Sequence, residues 1–149
     1  EFRKGPPFFE QKTFSKMRCD QAGLFAWRDS TTQDAKLKKE YAKEADYAYR
    51  QAFALGPTNT EVAFKYVNFL STKGRFDDSK LIARTLKATD PNSKFAQIIL
   101  TGILRNQERQ LVAKRDYVKA VEVALELVEI DKENKDQHMK RIESYRKLK

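Results

Sequence analysis

Few side chains in this sequence combine the residue types and the spacing that catalysis requires. His138 is the only histidine and Cys19 the only cysteine, which excludes histidine pairs, histidine-rich metal sites and an internal disulfide. The residues near Cys19 supply no nucleophile–base arrangement, so we interpret it as a small core residue. His138 falls in a polar C-terminal segment, where we expect it at the surface.

Carboxylates do occur in groups, as general acid–base chemistry would need. Asp77 and Asp78 stand where a helix should begin, while Glu122, Glu126 and Glu129 recur at helical spacing on a face expected in solvent. An acid–base pair requires burial that separates the two pKa values, and neither group lies in a pattern that predicts burial. Phosphate-loop and nucleophile-elbow glycine motifs are also absent from the sequence. We therefore expect no enzymatic activity, no metal and no cofactor.

The composition is that of one folded domain. Hydrophobic residues make up 40% of the 149 residues, and the apolar runs are too short to cross a bilayer. The net charge of +9 is spread evenly, with 11 Lys and Arg against 8 Asp and Glu in residues 1–50, 7 against 4 in residues 51–100, and 12 against 9 in residues 101–149. An even excess is typical of a solvated surface, whereas nucleic-acid binding favours a concentrated patch.

Apolar residues recur with the period of one helix face through most of the chain. The pattern predicts helices over about 14–28, 34–54, 61–73, 78–89, 94–114, 117–130 and 135–147. Thr32 or Asp34, Thr60 and Asp77 stand where N-caps are expected. No segment has the alternation of a strand, so the predicted fold class is all-α.

The first residues are expected to differ from the rest. Residues 5–7 read Gly-Pro-Pro, and proline lacks an amide hydrogen and disfavours helix in the residue before it. Residues 1–13 are therefore predicted to form an extended arm. Phe2, Phe8 and Phe9 would be costly in solvent, so we expect them to pack on the domain or on another chain.

A repeat is visible in the middle of the chain. Pro57 and Pro91 each follow a helical pattern and are 34 residues apart, which is the period of the tetratricopeptide repeat. With each proline placed at the family's proline position, residues of the expected size fall at the family's turn, small and aromatic positions. These residues are Gly74, Phe76, Ser79 and Ala83 before Pro91, and Ala45, Tyr49 and Ala52 before Pro57. The chain resembles tetratricopeptide repeat proteins.

A third unit is similar to the family pattern with two exchanges. Residues 115–120 and 129–134 look like the family's Gly-Asp-Tyr-x-x-Ala and Leu-Asp-Pro-Asn-Asn, with Arg115 in place of glycine and Lys132 in place of proline. Lys132 lies 41 residues after Pro91. The seven additional residues equal about two helical turns, so the first helix of this unit should be elongated. The first unit has about eleven additional residues, which we assign to a loop and a helix extension over 29–39.

The resemblance implies an α-solenoid of about three helical hairpins followed by a C-terminal capping helix over 135–149. The repeat domain would cover 14–134, in units of about 14–57, 58–93 and 94–134. Such stacks carry a concave groove lined by the first helix of each hairpin. Here the residues implied for that groove are Glu61, Phe64, Lys65, Asn68, Ser71, Thr72, Ile98, Gly102 and Arg105.

Phe64 is the most informative of these groove residues. It is either an anchor for a bound partner or a packing contact with the first unit, and the sequence leaves both interpretations open. Asn68 and Lys65 are similar to part of the family's carboxylate clamp. The full basic set is absent, so recognition of a C-terminal carboxylate is not predicted.

The predicted function is a scaffold that binds a protein or peptide, as an accessory domain or a fragment of a larger protein. The alternatives are a basic nucleic-acid-binding domain, and a homo-oligomeric structural subunit joined through Phe2, Phe8 and Phe9. Residues 22–28 and 45–55 also look like the soluble C-terminal tail of bacterial multi-pass glycosyltransferase-like membrane proteins. A membrane would then be reached only through a preceding part of the parent chain. The compartment is not predicted.

Overall fold

The computed structural model describes the backbone of residues 8–148 and the side chains of residues 10–148. Within that range the protein is all-α, as the sequence predicts, with no strand. It contains seven α-helices, with a short 3₁₀ helix at Lys132–Asn134: α1 Phe8–Thr31, α2 Ala35–Leu55, α3 Thr60–Thr72, α4 Phe76–Thr89, α5 Lys94–Ala113, α6 Tyr117–Ile130 and α7 Lys135–Lys147.

The N-terminal arm is where the sequence prediction was wrong. Helix α1 begins at Phe8, so residues 8–13 are helical and not extended. The prolines constrain the residues before them more than the residues after them, and a helix can therefore start directly behind Pro7. Phe2 lies outside the described residues, as do the side chains of Phe8 and Phe9.

Three helix starts show which side chains cap them. Asp34 caps α2 as predicted, since its Oδ1 accepts from the amides of Lys36 at 2.8 Å and Leu37 at 3.0 Å. The cap of α3 is Asn59 and not Thr60, because the asparagine carboxamide accepts from the amides that follow. Helix α4 begins one residue before Asp77, so that carboxylate lies in the first turn and favours the helix through its dipole.

Consecutive helices pack against each other along the whole described chain. Helix α1 packs on α2, α3 on α4, and α5 on α6, while α7 packs on α6. In addition, α3 contacts both α1 and α5, so the first helices of the three pairs lie side by side. Small residues without exposed surface allow the close approach of these helices: Ala22, Ala45, Ala52, Ala63, Ala120 and Ala124.

The predicted elongation of the fifth helix is confirmed. Helix α5 has 20 residues and α3 has 13, which is the difference of seven that the spacing required. The two helices end in the same type of turn. Gly74 has a φ of 72° after α3 and Arg115 has a φ of 59° after α5, so arginine occupies a left-handed position that usually favours glycine.

Candidate functional site

A depression of about 260 Å³ lies between α3 and α5 and gathers most of the residues that the sequence predicts for a groove. Five of the nine predicted residues line it: Phe64, Asn68, Ser71, Ile98 and Gly102. Helix α3 supplies the first three and α5 the other two. Residues three, four and seven apart share a helix face, which is why the two stripes meet across the contact between these helices.

The remaining four predicted residues lie elsewhere. Glu61 and Lys65 form an ion pair at 2.8 Å, and Lys65 also approaches Asp20 of α1 at 3.5 Å. Lys65 and Thr72 line a second depression against α1 and α2, which shares Asn68 with the first. Arg105 pairs with Asp131 at 2.9 Å. None of these four residues lines the α3–α5 depression.

The apolar part of the depression is formed by exposed side chains. Phe64 is 48% exposed and Ile98 is 64% exposed. The Phe64 ring lies 6.5 Å, between centroids, from that of Phe95 on α5. The aromatic contact of Phe64 is therefore with α5 and not with the first helix pair. Sequence reasoning missed Phe95, although it lies three residues before Ile98 and seven before Gly102 on one helix face.

Two carboxamide side chains form the polar part of the depression. Asn68 of α3 and Asn106 of α5 line the depression, and neither side chain has a hydrogen-bond partner among the described residues. Ser71, by contrast, is engaged with Ser79 at 3.2 Å between hydroxyl oxygens. A carboxamide carries both donors and an acceptor. Asn68 and Asn106 can therefore bond to both amide and carbonyl groups of a peptide backbone.

Gly102 keeps the depression open. A Cβ atom built on this residue would meet no atom within 4 Å. Steric crowding therefore does not require glycine here, although glycine inside a helix costs about 0.5–1 kcal/mol relative to alanine. The missing side chain leaves space on the face that α5 presents beside Ile98.

A larger cavity of about 1130 Å³ adjoins the depression, and Ile98 and Gly102 line both. It lies between α4, α5 and the segment that joins α6 to α7. Its lining includes five basic side chains and two acidic ones: Arg84, Lys87, Lys94, Arg105, Lys132, Asp131 and Glu133. Lys94 and Lys132 have no ion-pair partner in the described part of the chain.

His138 is fully buried, and its prediction as a surface residue was wrong. Its Nδ1 lies 2.6 Å from Arg141 Nη2, which can only donate, so Nε2 carries the proton and donates to Asp131 at 3.1 Å. Glu108 in turn accepts from Arg141 and from Tyr145, both at 3.0 Å. Both ring nitrogens are occupied, so this network fixes α7 to α5 and α6 and offers no free base.

Asp131 is the acidic centre of this network. Burial alone would raise its pKa, but hydrogen bonds from Asn134 and His138 and the charge of Arg105 outweigh burial and lower the pKa below its ordinary value. The carboxylate therefore stays ionised and continues to hold its three partners at neutral pH.

Among the described residues, no group of three or more metal-ligating side chains is close enough to hold an ion. The same residues include no helix with the length and apolar character to span a bilayer. Comparison with family models, with curated proteins and with solved structures finds no match to this chain. The resemblance to tetratricopeptide repeats thus rests on the residues of the repeat themselves.

Proposed function

We propose that the chain is a tetratricopeptide-like helical stack whose α3–α5 depression binds an extended segment of another protein. The order of helix contacts supports this arrangement, because α1, α3 and α5 are neighbours and each packs on the helix that follows it. The 34-residue spacing of Pro57 and Pro91 and the matching turns at Gly74 and Arg115 support it as well.

One observation carries the binding proposal: two unengaged carboxamides flank exposed apolar side chains in the same depression. Asn68 and Asn106 supply bonds to a peptide backbone, while Phe64 and Ile98 supply contact area for one side chain of the ligand. Apolar anchors surrounded by placed polar groups are what peptide-binding grooves share. Such a site binds a ligand without catalysing a reaction. The proposed role is therefore that of a scaffold or accessory domain and not of an enzyme.

The size of the depression limits what it can hold. A volume of about 260 Å³ falls just below the range of about 300–1,000 Å³ for small-molecule pockets. It has room for one or two side chains, with the rest of the segment lying along α3 and α5. Affinity then depends on a few anchors, and we expect dissociation constants in the micromolar range.

Selection from a library of random displayed peptides tests the proposal. The protein should enrich a motif with one bulky apolar residue, and calorimetry should then measure its affinity for variants. Asn68→Ala should weaken binding about fivefold, because a lost hydrogen bond costs about 1 kcal/mol. Gly102→Leu should abolish binding by filling the depression, without unfolding α5.

Leu81→Ala is the matched control. Leu81 is an exposed apolar residue on α4, outside the depression, so its removal should leave peptide affinity unchanged. If no motif is enriched, the binding proposal fails. If enriched peptides bind Asn68→Ala and Gly102→Leu as tightly as the wild type, the site lies elsewhere on the protein.

The basic cavity supports nucleic acid as a second candidate partner. Lys94 and Lys132 have no ion-pair partner among the described residues, and they line the same cavity as three further cations. Phosphate contacts would make affinity fall steeply with salt. Labelled single-stranded RNA and DNA at low salt should then bind the wild type, and Lys94→Glu with Lys132→Glu should reduce both affinity and salt slope. Absence of binding at low salt removes this candidate.

A further inference from the structure

Helix α1 has two apolar faces, of which the other described helices cover only one. Ser15, Cys19 and Ala22 are buried on the inner face. The outer face carries four large apolar side chains, and each of them is about half exposed or more: Phe14 53%, Met17 62%, Leu24 48% and Trp27 61%. The sequence pattern placed these residues on a helix but could not show that they point away from the domain.

These four residues have a symmetric arrangement along the helix. Phe14 and Trp27 are equally distant from the midpoint between Asp20 and Gln21, and so are Met17 and Leu24. Successive residues are about 100° apart around the helix axis. Met17 and Leu24 therefore lie about 10° to opposite sides of a line along the helix surface that passes through this midpoint. Phe14 and Trp27 lie about 70° to opposite sides of the same line. That line is opposite the buried face.

Such a face is complementary to itself. If a second α1 packs antiparallel about a two-fold axis at the midpoint, Met17 of one copy meets Leu24 of the other. Phe14 of one copy then lies level with Trp27 of the other. A two-fold interface requires the same surface patch on both copies, and this patch supplies apolar side chains at matching heights on both sides of the axis.

We propose that two copies of this chain associate through an antiparallel pair of α1 helices. The interface is separate from the α3–α5 depression and does not depend on the proposed peptide binding. It also differs from the predicted self-association through Phe2, Phe8 and Phe9, because the residues that carry it are Phe14, Met17, Leu24 and Trp27.

The exposed apolar area sets the expected strength of the dimer. Applying the exposed fractions to side chains of about 150–250 Å² gives roughly 450 Å² on each copy. Two copies would bury roughly 900 Å² of apolar surface, plus a polar rim, whereas a standard interface buries about 1,600 Å² in total. The dimer should therefore be weak, with a dissociation constant in the micromolar range.

The charges beside the two-fold axis predict how dimerisation depends on salt. Asp20 of each copy lies next to its symmetry mate, and Lys65, 3.5 Å from Asp20, offsets part of the repulsion. Like charges at such a distance oppose association. Dimerisation should therefore strengthen when salt screens the pair, and Asp20→Asn should lower the dissociation constant severalfold.

Sedimentation of the full chain between about 1 and 200 μM tests the proposal directly. The wild type should pass from one to two chain masses over this range. Met17→Asp should stay monomeric, because it buries one charge on each side of the axis against Leu24 of the other copy. Circular dichroism should show that this variant is folded. Leu81→Asp, which changes an exposed leucine on α4, should dimerise as the wild type does.

A crosslink tests the geometry independently of affinity. For helices about 9 Å apart and a helix radius of about 2.3 Å, the two Gln21 Cα atoms are about 6 Å apart, within disulfide reach. In a Cys19→Ala background, Gln21→Cys should form a covalent dimer on mild oxidation and Glu143→Cys should not. A wild type that is monomeric at every concentration, a dimer that survives Met17→Asp, or equal crosslinking at both cysteines overturns the proposal.

Discussion

Arg115 is in a strained backbone conformation, and relieving that strain should stabilise the protein. Its φ of 59° makes it the only non-glycine residue with positive φ among those described. The left-handed conformation costs an ordinary residue about 1–2 kcal/mol. Glycine removes that cost but gives the unfolded chain additional freedom worth about 0.4–1 kcal/mol. Arg115→Gly should therefore raise the unfolding free energy by about 0.5–1 kcal/mol.

The surroundings of Arg115 make this balance simple. The residue is exposed, and its side chain has no hydrogen bond or ion pair within the described chain, so the substitution removes no contact. The turn is held by backbone bonds, from the amide of Arg115 to Val112 O and from the amide of Asp116 to Leu111 O, both at 2.9 Å. Both bonds remain in the variant.

Gly74 supplies the matched test, because it occupies the corresponding turn with a φ of 72°. Gly74→Arg should lower stability by about as much as Arg115→Gly raises it, and the double exchange should be close to neutral. Urea unfolding with an unchanged m-value gives the measurement. Destabilisation by Arg115→Gly, or no effect of Gly74→Arg, would show that the two turns do not share this strain.

Three further substitutions test the packing of the described helices. Gly56→Ala should cost about 1–3 kcal/mol in urea unfolding, because the added Cβ would lie 2.7 Å from the Ser15 hydroxyl, which donates to Ala52 O; an unchanged midpoint would contradict this. His138→Leu should cost about 1–3 kcal/mol, because it removes one of the three donors to Asp131 and the ring nitrogen that accepts from Arg141; an unchanged stability would show that this network does not stabilise the fold. Asp131→Asn should have a lower unfolding free energy than the wild type above the ordinary carboxyl pKa of 3.8. The difference between the two proteins should shrink as pH falls below that value, because the pKa of the folded carboxyl is lowered. A deficit that grows with acid would refute the assignment.

The sequence predicted the C-terminal helices better than the N-terminal one. The bounds of α6 and α7 agree with the predicted 117–130 and 135–147, because each has one apolar stripe and a polar or turn-forming boundary. Helix α1 carries apolar residues on both faces, so periodicity does not mark a single buried side. Its start at Phe8 was missed because the proline rule was applied to residues that follow the prolines.

Burial of polar side chains could not be predicted from local patterns. His138 is polar and lies in a polar helix, and its burial is favourable only because it bonds to Asp131 and to Arg141, which in turn bonds to Glu108. Glu108 lies thirty residues before His138, on α5. Local periodicity contains no information on such pairs, because they form only when distant helices meet.

Some features of the candidate site could be predicted from the sequence of a single helix, and others depend on how distant helices pack. The repeat register that the resemblance implied was enough to place Phe64, Asn68 and Gly102 on the faces that form the depression. It could not show that Arg105 turns towards Asp131, because that ion pair depends on where α6 ends. Nor could it show that Phe64 meets Phe95, since the offset between the two helices is set by their packing.

Chemical-shift mapping with a selected peptide tests the central claim most directly. The isotope-labelled protein would be titrated with the enriched peptide, and each backbone amide signal followed. Binding in the α3–α5 depression should shift the signals of Phe64, Asn68, Ile98 and Gly102 and leave those of α7 in place. Shifts confined to other helices, or none at saturating peptide, would contradict it.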